Sequence, residues 1–235
     1  MVDSTAFKLH TRNQPAKILK FPNQKYTKET GKSPVQPLRS MEYIEKAKQY
    51  FLNKPERYKG QNIRDYTIFV LGINLARRCG DLLHFRIHNV WDGRAIKPYI
   101  LISEQKTGKS AKMVVTPVVR DALESYILTL PYDLSMSDFL FPSRKKKDGK
   151  YAAMTVGNFY KKMQALKDEL ELIDPIGTHT MRKTWVYMLI KNNKDDSSVV
   201  AKASKVLGHN NIETTFAYAG FAQEEIDDTL FENQL

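Results

Sequence analysis

Residues 207–221 read LGHNNIETTFAYAGF. Gly208 and His209 open the run, a polar turn follows, and Tyr218 stands nine residues after His209. The segment SSVVAKASKVL leads into the run with a helical pattern, and the tail FAQEEIDDTLFENQL leaves it. In that tail Ala222, Ile226 and Leu230 are spaced four apart with acids between them, the period of a short amphipathic helix over residues 221–233. Taken alone, a tyrosine after a polar turn is ordinary core or rim. What the rest of the chain places beside it decides its meaning.

The chain has 235 residues, enough for one domain or one domain plus an arm, and 42% of them are hydrophobic, enough to bury a core. The formal net charge is +11 and the sequence pI is about 9.5. Such an excess points to a polyanionic partner, DNA or RNA before an anionic membrane. Cys79 is the lone cysteine, so an intramolecular disulfide is excluded and a reducing compartment fits. No apolar stretch reaches the roughly 20 residues of a membrane span, and MVDSTAFKLHTRNQ has no apolar signal core. The expectation is a cytoplasmic protein that does not engage a membrane.

Residues 1–38 read as a basic, flexible arm. Lys8, Arg12, Lys17, Lys20, Lys25, Lys28 and Lys32 are scattered through it, and Pro15, Pro22, Pro34 and Pro37 break helices. Ser40 is a suitable N-cap for a helix over MEYIEKAKQYFL. The apolar density of IRDYTIFVLGINLARR predicts a buried helix running as far as the two arginines. A short helix follows near Asp81–Arg86. PYILIS and AKMVVTP flank QKTGKS as the arms of a hairpin, and PVVRDALESYILTL is a helix with Pro117 in its first turn. SRKKKDGK reads as a basic loop. TVGNFYKKMQALKDEL and THTMRKTWVYMLIKNN complete the helices. The predicted fold class is mainly α with one small antiparallel β-sheet, an α+β domain over residues 39–235.

Several chemistries drop out. TGKS resembles the end of a phosphate-binding loop, but that motif needs a glycine where Ser103 stands, and the segment lies in a hairpin. His84 and His88 are four apart, without a third nearby ligand and without HExxH, so no metal is expected. No GxSxG elbow occurs. There remains a dispersed set: Arg78 in ARRCGDLLHF, Lys106 in EQKTGK, His179 and Arg182 in THTMRKTW, then His209 and Tyr218. Three residues apart, His179 and Arg182 share a helix face.

In that order the set resembles the tyrosine recombinase (phage integrase) family, from about residue 40 to the C-terminus. ARRCGDLL is similar to the box in which an arginine precedes an acid by three residues and then leucine, which selects Arg78, with Asp81 and Leu82, over Arg77. THTMRKTW resembles HxLRHTF, and LGHNNIETTFAY resembles LGHxxIxTTxxY. Lys106 is matched, ahead of Lys109, as the first lysine of the hairpin turn.

The resemblance implies a site-specific recombinase that cuts and rejoins DNA through a 3′-phosphotyrosyl link, for integration, excision or inversion. Tyr218 would be the nucleophile, Arg78 and Arg182 the phosphate ligands, His209 a donor, His179 the proton acceptor and Lys106 the general acid. It implies no cofactor and no metal, because the covalent link keeps the phosphodiester's bond energy. The implied partners are a double-stranded DNA recombination site, other protomers reached through the C-terminal tail, and accessory DNA-binding proteins in some settings. Two alternatives share the fold: a DNA-binding protein without recombinase activity, and topoisomerase-like strand relaxation. Lys183 departs from the family, which often has histidine there. KNNKDDSS is a longer loop, and only some 40 residues precede the first helix, so no full N-terminal DNA-clamping domain is expected.

Overall fold

The computed structural model describes residues 34–103, 110–131, 134–147, 149–209 and 211–220. The N-terminal arm before residue 34, the Lys106 turn and the tail from residue 221 lie outside the described residues. A compact unit begins at Pro34.

Helix α1 (Met41–Asn53) starts where Ser40 accepts a hydrogen bond from the Tyr43 N–H at 3.2 Å. Ile44, Ala47 and Phe51 form its buried stripe. Helix α2 (Gln61–Leu75) is the central element; Ile68, Phe69, Val70 and Leu71 in sequence are fully buried, so it is covered on all sides. Helices α3 (Cys79–Leu83), α4 (Ile87–Val90) and α5 (Pro117–Ile127) follow, then α6 (Val156–Glu169), α7 (Thr178–Lys191), α8 (Val199–Leu207) and α9 (Ile212–Ala219). Phe51 lies 5.3 Å from Phe69 and 6.2 Å from Phe159, ring to ring, which fastens α1, α2 and α6 together. Where α2 crosses α7, a Cβ on Gly72 would fall 2.4 Å from the Met181 sulfur. The glycine lets the two helices approach closely, and this crossing brings the C-terminal end of α2 to the face of α7 that carries Arg182.

Asp65 of α2 is fully buried and meets three cations: Lys54 at 2.6 Å, Lys162 at 2.7 Å and Arg64 at 2.8 Å. Burial alone would raise its pKa, but Arg64, Lys54 and Lys162 outweigh that and hold it below the ordinary value. The cluster joins the end of α1 to α2 and α6.

Strands β1 (Tyr99–Ser103) and β2 (Ser110–Val114) pair antiparallel, with Ile100 opposite Met113 and Ile102 opposite Ala111. Ile100 and Ile102 point into the core, while Leu101 is 72% exposed, a half-buried strand. Two expectations are corrected here. The basic segment after Pro142 is not a loop: β3 (Pro142–Lys147) and β4 (Lys150–Ala153) form a second hairpin, so the described residues hold two small sheets instead of one. Lysine-rich sequence masks a strand whose outward side chains stay in water. Helix α2 also stops short of the arginines, at Leu75, because Ala76 turns into the left-handed region at φ 53°.

A second, smaller core gathers Ala76, Val186, Ala203, Leu207 and Ala219 between α7, α8 and α9, with Trp185 and Tyr218 packed on it. No helix among the described residues is long and apolar enough to cross a membrane.

Candidate active site

Arg182 organises the region around the small core. Its guanidinium donates to the Ala76 carbonyl at 2.8 Å and to the Leu207 carbonyl at 2.6 Å. The first is the terminus of α2 and the second the terminus of α8, where cations are favoured by the exposed carbonyls. Arg77 does the same work beside it, donating to Leu75 at 3.3 Å and to Val206 at 2.6 Å, and it is 3% exposed. Two guanidiniums thus bridge the ends of two helices. Arg78 comes two residues after Ala76 and His209 two residues after Leu207.

Arg78 itself is the extended residue that opens α3, at φ −65° and ψ 142°. It is only partly buried, unlike Arg77. Its charge bears on the ionisation of His179, His209 and Tyr218.

Helix α8 ends in Gly208 at φ 70°, a conformation that L side chains rarely adopt. That turn lets the His209 N–H donate to the Ser204 carbonyl at 3.0 Å. The His209 Nδ1 meets the Thr215 hydroxyl at 2.9 Å, and that hydroxyl lies 2.6 Å from the Ser204 hydroxyl. Both residues are buried, so the imidazole is held at its Nδ1. The sequence reading missed Ser204 and Thr215 as contributors. Thr215 could have been suspected from its place six residues after His209; nothing in the sequence singles out Ser204.

Helix α9 begins where the Asn211 side chain accepts from the Thr214 N–H at 2.9 Å. Nearly two turns later Tyr218 is presented to α7. Its hydroxyl lies 3.3 Å from His179 Nδ1; with that nitrogen unprotonated, the phenol donates to it. The His209 ring packs edge-on against the Tyr218 ring, 5.3 Å between centroids at 76°. Arg182 Cζ is 6.0 Å and Lys183 Nζ 5.3 Å from the Tyr218 ring centroid.

The electrostatics are those of a cationic pocket. Burial raises the Tyr218 pKa, and the Arg182 and Arg78 charges with a hydrogen bond from Arg182 oppose the rise. Packing around the rings, then Arg182 and Arg78, push both His179 and His209 below the ordinary 6.5, with Lys183 adding to the effect on His179. Both histidines are therefore neutral near pH 7. Lys183, nearly buried, is itself lowered by burial and by the Arg39 cation.

Of the six residues singled out in the sequence, His179, Arg182 and His209 are thus gathered around Tyr218, and the charge of Arg78 acts on it. Lys106 lies outside the described residues; the strands β1 and β2 that flank its turn are in place. His84 and His88 take no part: their Nδ1 atoms meet different backbone carbonyls, Gly80 at 2.7 Å and Met136 at 3.0 Å.

Comparison with known proteins gives a consistent set of likenesses. The model of the phage integrase family matches residues 43–225. The chain is 30% identical over 195 residues to the probable integrase/recombinase YoeC of Bacillus subtilis (strain 168), covering 81% of this chain and 92% of that protein. Among solved structures, XerA recombinase superposes with a TM-score of 0.63 at 17% identity, over 86% of this chain and 67% of that one. XerH site-specific recombinase, bound to its palindromic difH substrate in a post-cleavage complex, gives a TM-score of 0.64 at 17% identity. That match covers 86% of this chain and 55% of the XerH chain.

Proposed function

The chain belongs to the phage integrase family, and from that premise we propose that it is a DNA strand-exchange enzyme whose nucleophile is Tyr218. The observation that carries the mechanism is the contact between the Tyr218 hydroxyl and His179 Nδ1, 3.3 Å, inside a pocket held by two arginines. A phenol with a raised pKa is a poor nucleophile unless its proton has somewhere to go and the negative charge it leaves is met. Neutral His179 accepts the proton. As the tyrosine oxygen bonds to phosphorus, charge builds on the nonbridging oxygens, where Arg78, Arg182 and the other ring nitrogen of His209 donate. The bond from phosphorus to the 5′ oxygen breaks, and Lys106 supplies that oxygen's proton. The product is a 3′-phosphotyrosyl link and a free 5′ hydroxyl, and the reverse sequence rejoins the strands.

The substrate of this reading is double-stranded DNA. The net charge of +11 supports it, as does a cleft of about 520 Å³ whose lining includes Arg57, Arg144 and Lys161. The basic residues up to Lys32 act as an arm on that DNA, while residues 34–38 belong to the compact unit, and the tail, residues 221–233, docks on neighbouring protomers once DNA is bound. The test is a duplex nicked near the cleavage position, so that a short fragment diffuses away after cutting. With excess EDTA and no nucleotide, the protein should become attached to DNA in a form that survives denaturant. A strict requirement for a divalent metal or ATP in the cleavage step would overturn the mechanism.

A further inference from the structure

We infer that Arg39 is a positioning residue for Tyr218: from an extended strap, it latches the C-terminal turn of the tyrosine's helix in place. The inference rests on Tyr218 as the nucleophile.

Residues 34–40 run without regular structure over the helix that carries His179 and Arg182. The Gln36 N–H donates to the Pro175 carbonyl at 2.7 Å. The Thr180 hydroxyl donates to the Gln36 carbonyl at 2.8 Å, and the Leu38 N–H donates to the Thr184 hydroxyl at 2.9 Å. Thr180 and Thr184 are one turn apart on α7 and both are buried, so the strap is stitched along one face of that helix. Within the strap, Pro37 and Leu38 are buried. Lys191 fixes its far end, donating to the Arg39 carbonyl at 3.3 Å.

From this fixed strap the Arg39 side chain donates to the Gly220 carbonyl at 2.7 Å, a contact between residues 181 apart in the chain. Gly220 is the cap of α9, two residues after Tyr218. The fit is close: a Cβ at Gly220 would lie 3.1 Å from the Gln36 side-chain oxygen and 3.3 Å from Pro37 Cδ. The Arg39 guanidinium also lies 5.8 Å from the Tyr187 ring centroid, which steadies it from α7.

Helix α9 needs such a tether. It has eight residues, and only Thr215 and Ala219 among them are buried. A helix that short is marginal without tertiary support. Its N-terminal half is secured through Asn211 and the Thr215–Ser204 contact. Its C-terminal half, which carries the nucleophile, is secured by the small core and by Arg39. Releasing the latch lets this half leave α7, and the distance from the Tyr218 hydroxyl to His179 is then no longer fixed. Cleavage falls in proportion to the docked fraction, while residues that meet DNA are unchanged.

The experiment uses the full chain with Arg39→Ala and Arg39→Lys, and three readouts: hydrogen exchange, affinity for the nicked duplex, and single-turnover attachment to it. In Arg39→Ala, amides of residues 216–220 should exchange at least about 10-fold faster while those of α2 keep their protection. Attachment should slow by about the same factor, with DNA affinity changed by less than about 2-fold. Arg39→Lys keeps the cation and one donor, and should recover part of both losses. Unchanged exchange in 216–220 overturns the latch. Faster exchange with attachment at the wild-type rate overturns its positioning role. If Arg39→Ala loosens α2 as well, Arg39→Lys is read alone, and loss spread equally over α2 and α9 overturns the inference. Attachment that persists in Tyr218→Phe would instead remove the nucleophile assignment, leaving the exchange result to judge the latch by itself.

Discussion

Three neighbouring or facing arginines do different work at the site, and their substitutions should separate. Arg78 is partly exposed and its charge bears on the tyrosine and both histidines, whereas Arg77 and Arg182 are spent partly on helix-end carbonyls. Arg78→Ala should slow attachment to DNA at least about 100-fold, the scale for losing one transition-state oxyanion contact. Arg182→Ala should lose both rate and roughly 2–4 kcal/mol of stability, since buried carbonyls at Ala76 and Leu207 are left without their donor. An Arg78→Ala protein at full rate would mean that the wrong arginine was matched. The histidines predict a pH profile. His179 is lowered below 6.5 and must be unprotonated to take the phenol's proton, so the single-turnover rate should rise with pH and level off, with its inflection below 6.5. The sign follows from burial and the arginines, which disfavour the imidazolium. An inflection above about pH 7 would show that His179 is not the acceptor.

At the scale of elements, Asp65 is the test of what holds the scaffold. Its carboxylate is shared by the end of α1, by α2 and by α6, and its pKa is held below the ordinary 3.8. A depressed acid contributes stability that is complete above its unfolded pKa and is lost as pH falls below it. Asp65→Asn should therefore cost about 3–5 kcal/mol at neutral pH, measured by urea unfolding, and should lessen the loss of stability between about pH 4 and pH 2. A variant as stable as the wild type would show that the three cations gain nothing from the pairing. The same scale shows which elements were legible. Ser40 and Pro117 marked helix starts because capping is local chemistry. The end of α2 was not legible: Ala76 turns into the left-handed region there, and the carbonyls of Leu75 and Ala76 are taken by two guanidiniums, one of them more than a hundred residues away. The β3–β4 hairpin was missed because lysines hide its alternation. The order of boxes singled out His179, Arg182, His209 and Tyr218, which the fold brings together, but the contacts of Ser204 and Arg39 are ones that no spacing encodes.

For the whole molecule, the architecture explains why dispersed residues become one site. The α2–α7 crossing at Gly72 sets where one arginine-bearing end meets Arg182, and the second core sets α8 and α9 against the same face. The chain's net charge of +11 suits a polyanionic partner. The central claim is chemical: the phenol of Tyr218 becomes bonded to a DNA phosphate. The most direct measurement is mass-spectrometric mapping of the peptide left attached to DNA after reaction with a nicked duplex, for the wild type and Tyr218→Phe side by side. The account predicts a nucleotide on the peptide that contains Tyr218, attached through a 3′ phosphate, and no attachment in the variant although it still binds the duplex. A nucleotide on another residue, or attachment that survives the loss of the Tyr218 hydroxyl, would contradict it.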